Sequence, residues 1–149
     1  ESWLINVEAS ITFNGKSLSA WTEELSIPTI SITRELSVNE LELLNQRMIN
    51  VVEIVMSSLG SANNAFASAK MAYELNCANE RRVITETLLE NGKRIPTKET
   101  LDALVLTACE TTYRKMSRSS LIYDYWNNQS YKLHRLEGYM KSLNIAKRT

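Results

Sequence analysis

The residues best equipped to do chemistry crowd into the end of the chain. Arg114, Lys115, Arg118, Lys132, Arg135, Lys141, Lys147 and Arg148 face only Asp124 and Glu137 in charge, and Tyr113, Tyr123, Tyr125, Trp126, Tyr131 and Tyr139 are interleaved with them. Cations neutralise phosphates, and rings offer flat faces on which unstacked bases rest; together they are what sequence-tolerant binding of single-stranded nucleic acid requires. On a helix turning about 100° per residue, Arg114, Arg118, Tyr125, Lys132, Arg135 and Tyr139 share one sector, opposite the apolar stripe. Two other readings stay open. The ordinary one is a solvated charged face, neutralised by Glu40, Glu42 and Glu53 if the chain folds back on itself. The other is an electrostatic contact between subunits.

Catalytic candidates are few. The glycines are isolated at 15, 60, 92 and 138, so there is no phosphate-cradling loop. His134, the single histidine, sits in Lys132-Leu133-His134-Arg135 with no neighbouring acid or thiol to form a dyad, and reads as a surface or interface residue. Magnesium-dependent hydrolases need clustered carboxylates; Glu86, Glu90, Glu99 and Asp102 read instead as helix-end and surface charges. Cys77 and Cys109 with one distant histidine fall short of a zinc set, and reduced thiols in a core are the favoured reading over a disulfide. No cofactor, metal or catalytic residue is expected, and the chain reads as a non-enzyme.

These side chains must be positioned by helices. Leu41, Leu44, Met48, Val51, Val55, Leu59, Ala62, Phe66, Ala69, Tyr73 and Cys77 follow one another at three or four, and the spacing continues through Ile84 and Leu88. Over that many turns the stripe is coiled-coil-like. Ser37 and Glu40 form a capping box at its start, and Asn91-Gly92 supplies a left-handed end. Gly60-Ser61 marks a point where the helix kinks or packs closely. Behind Pro96, with Thr97 as cap, Leu101, Leu104, Val105, Ala108, Thr112, Met116, Ser119, Tyr123, Trp126, Ser130, Leu133, Met140 and Leu143 make a second, more polar stripe. The prediction is helix 38–90, turn 91–97 and helix 98–146, an antiparallel two-helix hairpin in which residues summing to roughly 187 oppose one another. Cys77 and Cys109 satisfy that sum.

Residues 1–36 read as a separate small head. Trp3, Ile5, Val7, Ala9, Ile11 and Phe13 alternate with polar residues as a strand does, ending at the turn signal Asn14-Gly15. A short helix capped by Ser17 carries Leu18, Trp21 and Leu25 until Ile27-Pro28 stops it, and Ile30 and Ile32 suggest another strand. The fold class expected is therefore mainly α: a long, coiled-coil-like antiparallel hairpin with a small N-terminal head containing a β-hairpin. Two strands are marginal alone, and a lone hairpin buries one face per helix, so a homo-oligomer is expected. Trp3, Phe13, Trp21, Trp126 and Gly138 are its candidate contacts, Trp126 with the competing reading of a core residue.

With 44% hydrophobic and 23% charged residues in 149, and formal charges that cancel, the composition is that of one ordinary folded domain. No apolar run reaches the roughly 18 residues of a membrane helix, and Glu1-Ser2-Trp3 lacks a basic signal-peptide start. An intracellular, cytoplasmic place is expected, with no membrane partner. Glu at position 1 is compatible with a trimmed, processed or incompletely known start.

Ser120-Leu121-Ile122-Tyr123-Asp124-Tyr125-Trp126, followed by Tyr131 to Leu143, resembles the closing helix of phage recombination mediators of the UvsY type, and Leu18 to Leu25 resembles their leucine- and glutamate-rich opening. The likeness covers about a third of the chain; the neutral charge and the strand-like first residues depart from it. It implies a non-enzymatic, helical, oligomeric protein that binds single-stranded DNA and helps load a recombinase, with Lys132, Arg135 and Lys141 as candidate contacts beside Tyr125 and Trp126. The alternative is a structural subunit of a virion or other assembly, its acidic and basic halves mating between neighbours.

Overall fold

The computed structural model describes residues 7–28 and 37–148, with side chains described to Ser142. Contacts group the chain into two units, Glu1–Ala62 with Ile122–Thr149, and Asn63–Leu121.

In the first unit, residues 7–10 are helical, closed by the Ile11 amide on the Val7 carbonyl at 3.0 Å. This corrects the strand expected through Val7, Ala9 and Ile11. The Ser10 hydroxyl also donates to the Val7 carbonyl, at 2.9 Å, and such local bonds compete with a ladder. Trp3 and Ile5 lie outside the described residues. Strand pairing survives only as β1 (Thr12–Phe13) antiparallel to β2 (Lys16–Ser17), with Thr12 opposite Ser17 and Phe13 opposite Lys16. Asn14 and Gly15 join them with φ of 47° and 83°, the two left-handed residues that a two-residue hairpin turn demands.

Ser17 then caps α1 (Leu18–Leu25), its hydroxyl accepting from the Ala20 amide at 3.1 Å. The helix ends at left-handed Ser26, two residues before Pro28. The strand expected at Ile30 and Ile32 falls outside the described residues.

Helix α2 (Val38–Glu90) begins where Ser37 Oγ accepts from the Glu40 amide at 3.2 Å, one half of the expected capping box. Leu41, Met48, Val55, Ala62 and Ala69, seven residues apart, are all buried, with Val51 and Ser58 between them. That is the heptad seam of a coiled coil. The helix continues without interruption past Gly60, where an added Cβ would meet open space, so close packing is not its role among the described residues.

Facing this seam in the same unit, Trp126, Leu133 and Met140 repeat the seven-residue step on α4 (Glu110–Arg148). One core joins Met48, Val51, Val55 and Ala62 to Trp126, Leu133, Leu136 and Met140, and also to Ile11, Leu18 and Leu25 of the head. The head thus shares its core with the helices.

In the second unit α2 ends in a Schellman turn: the Lys93 amide reaches the Leu88 carbonyl at 2.9 Å, and Gly92 takes φ 69°. Thr97 caps α3 (Lys98–Ala108), accepting from the Thr100 amide. The single helix expected over 98–146 is interrupted at Cys109, with φ −101° and ψ 14°. The break is slight, because the ladder continues across it: the Cys109 amide reaches the Val105 carbonyl and the Tyr113 amide the Cys109 carbonyl, each at 2.9 Å, with Thr112 Oγ1 also donating to the Cys109 carbonyl at 3.0 Å.

The inward face there is Leu101, Val105 and Cys109, packed on Cys77 and Ile84. Leu104 and Ala108, expected inward, are exposed instead. Antiparallel register is visible in the Asn76 to Thr112 hydrogen bond of 2.8 Å, the Tyr73 and Tyr113 rings 5.6 Å apart, and the Arg81–Asp102 ion pair. Cys77 and Cys109 meet as expected and are free thiols. Burial first, then a hydrogen bond with Cys77, pushes the Cys109 thiol up to about 11. A hydrogen bond to Cys77, with burial second, pushes Tyr73 up to about 12.

Candidate nucleic-acid interface

The candidate cations of α4 divide between the two units. Arg114 and Arg118 belong to the second, where both are exposed and Arg114 pairs with Glu110 at 2.6 Å. Lys132, Arg135, Tyr139 and Lys141 belong to the first. Lys132, Arg135 and Lys141 are exposed there, and none of them is ion-paired with Glu42 or Glu53. Tyr139 is half-buried.

Tyr125 does not share the outer sector. It is 5% exposed, and its hydroxyl shares a 2.7 Å hydrogen bond with Thr22 of α1. Burial raises its pKa. The helix projection allows α4 one partner, α2, whereas α1 covers a second side and takes Tyr125 out of reach of any base.

Trp126 is likewise corrected from an oligomer contact to the centre of the chain's own core. It is fully buried, with ring centroids 5.2 Å from Phe13, 5.4 Å from Trp21 and 5.1 Å from Tyr125, all edge-on. Such pairs favour edge-to-face packing because the ring quadrupoles attract that way. Phe13 and Trp21 are half-buried in the same cluster, and Trp21 Nε1 donates to the Phe13 carbonyl at 2.8 Å. Lys16 sits 4.7 Å from the Trp21 ring centroid and pairs with Glu24. Gly138 is exposed, with open space at its Cα, and Trp3 lies outside the described residues.

Beside the aromatic cluster, the surface of α4 opens into a polar cleft of about 450 Å³ that contains Lys132 and Arg135. Glu8, from the helical turn of residues 7–10, forms its other wall, and Asn128, Gln129 and Tyr131 complete it around the covered Tyr125. Gln129 is only 4% exposed and lines the cleft from the buried side of α4. Tyr131 is 63% exposed. None of Glu8, Asn128, Gln129 or Tyr131 stands out from sequence as a site residue. The available signal is the polar run Asn127-Asn128-Gln129-Ser130, two members of which fall on the buried side of an otherwise apolar seam.

A second groove of about 440 Å³ lies between α2 and α4 in this unit, apolar at Met48, Ile49, Val52, Leu133 and Met140. His134 does have an acid beside it, correcting the sequence reading: its Nδ1 stands 3.9 Å from Glu137, one helical turn on, with both side chains exposed at the surface. Among the described residues no three His, Cys, Asp or Glu side chains could hold a metal ion, and no helix is long and apolar enough to cross a membrane. No family model, curated protein or solved structure matches the chain.

Proposed function

We propose that this is a non-enzymatic, oligomeric helical protein that binds single-stranded DNA along α4, in the manner of a recombination mediator that helps load a recombinase. The observation that carries the reading is the juxtaposition of Lys132 and Arg135, both exposed and without ion-pair partners among the described residues, with the exposed Tyr131 ring at one cleft. Two cations one helical turn apart and a ring for a base are the minimal single-strand platform. The recombinase partner rests on the resemblance of residues 120–126, 131–143 and 18–25 alone.

The test is fluorescence anisotropy with a labelled oligonucleotide at low salt. Binding of micromolar strength or tighter is expected, with log K falling by about 0.7 per neutralised phosphate per log unit of salt. Lys132→Ala with Arg135→Ala weakens it and flattens that slope, and Arg118→Ala with Lys132→Ala tests whether the second unit contributes. No anisotropy change at low salt sinks the reading.

A structural-subunit reading is favoured by a different observation, the many large apolar side chains left in solvent, among them Leu43, Met71, Leu75 and Leu106 at 50% exposure or more. An assembly that survives nuclease treatment without affinity for oligonucleotide would support it.

A further inference from the structure

The cleft holding Lys132 and Arg135 carries more than a phosphate platform needs. A carboxylate, Glu8, lines it together with the two cations, and a carboxylate repels phosphate. Gln129, 4% exposed overall, lines the same cleft and brings a carboxamide, which both donates and accepts, to its wall. Both features make sense if the cleft receives a group rich in donors.

Building on the single-strand reading above, we infer that this cleft is a base-selective subsite: one unstacked nucleobase bearing an exocyclic amino group seats between Glu8 and Gln129, while flanking phosphates lie on Lys132 and Arg135. Its volume of about 450 Å³ admits a small ligand such as one nucleotide. The chemistry follows from hydrogen-bond inventories. Cytosine presents its amino N4–H₂ as a donor to carboxylate, and adenine offers a donor and acceptor pair to a glutamine amide. Thymine places a carbonyl oxygen, O4, where cytosine has its amine, so against Glu8 it meets repulsion. The exposed Tyr131 ring and the Asn128 amide at the rim add stacking and a further polar contact.

The experiment compares oligo-dC and oligo-dT of about 15 nucleotides at matched salt and slightly alkaline pH, a length spanning one such site. The intact chain is expected to prefer oligo-dC by about tenfold, the size of one good amine contact. Glu8→Ala should bring that ratio to parity. Because Gln129→Leu perturbs a buried position, Asn128→Ala with Tyr131→Ala serves as the second variant, and it should cut oligo-dC affinity several-fold more than oligo-dT. Equal affinity for the two oligonucleotides in the intact chain, or a preference that Glu8→Ala leaves in place, overturns the subsite while leaving single-strand binding standing. Failure of the intact chain to bind either oligonucleotide overturns both.

Discussion

Trp126 shows how one residue ties three elements together. Its ring touches Phe13 of β1 and Trp21 of α1 from a position on α4, and its Nε1 is sealed from solvent with no hydrogen-bond partner among the described residues. Packing and polarity therefore pull in opposite directions. Trp126→Ala should cost about 3–5 kcal/mol by emptying the centre of the cluster. Trp126→Phe loses volume but also removes the unpaired N–H, so its cost should stay below about 1.5 kcal/mol. Urea unfolding followed by circular dichroism separates the two; equal losses would mean that the indole N–H is satisfied in solution.

Cys109 makes a pH prediction at the same scale. Its folded thiol titrates near 11, above the ordinary value near 9, because the core desolvates the thiolate. As pH rises past about 9 the unfolded chain gives up this proton first, so it binds fewer protons than the folded chain and stability falls. Tyr73, pushed to about 12, adds a further loss above pH 10 by the same sign. The contribution is fully present below pH 9 and is lost through the folded values. Cys109→Ala should lower stability at pH 7 by leaving a small cavity, yet flatten the decline between pH 9 and 11 in denaturation measured across that window. An unaltered alkaline slope would assign the decline to other groups.

Among the elements, those that local chemistry determines were legible in the residues. Ser17, Ser37 and Thr97 start helices and Asn91-Gly92 ends one, because hydroxyl caps and a left-handed glycine act within a few residues. The Cys77 and Cys109 pairing followed from the turn position alone. Illegible were the features that tertiary contacts decide. Tyr125 projects outward on an isolated helix and is buried only because Thr22, far away in sequence, arrives beside it. The cleft wall at Glu8 was hidden for the same reason, since residues 7–10 read as a strand until they are seen as a turn of helix.

Glycine substitutions test the element-level account by sign. Gly92 sits at φ 69°, where a side chain is strained, so Gly92→Ala should destabilise by about 1–2 kcal/mol. Gly60 lies inside α2 with open space around its Cα, so Gly60→Ala should stabilise by about 0.5–1 kcal/mol through helix propensity. Thermal melts of the two variants should therefore move in opposite directions. A loss at Gly60 would point to a neighbour packed against it in solution.

At the scale of the whole molecule, two helical seams are satisfied and the opposite faces are not. In the first unit, Leu43, Ile49 and Met56 of α2 are exposed by 49% or more; in the second, Met71, Leu75, Leu104, Leu106 and Tyr113 are exposed by 44% or more. Single exposed apolar residues are ordinary, but Met71 and Leu75, one turn apart on α2, put two large apolar side chains next to each other in a short strip. A second copy is the simplest cover for such a strip, since interfaces in homo-oligomers are the apolar ones. Multi-angle light scattering should then return a mass that is a multiple of the 17.0 kDa chain. Met71→Glu with Leu75→Glu should shift that mass downward while leaving helicity by circular dichroism intact, because neither side chain belongs to the buried seam. Retention of the full mass in the double variant would place the contact elsewhere, with the exposed apolar residues of the first unit next in order. If DNA affinity falls together with mass, single-strand binding depends on several clefts acting along one strand, which is the behaviour multivalency predicts for weak sites joined in one assembly.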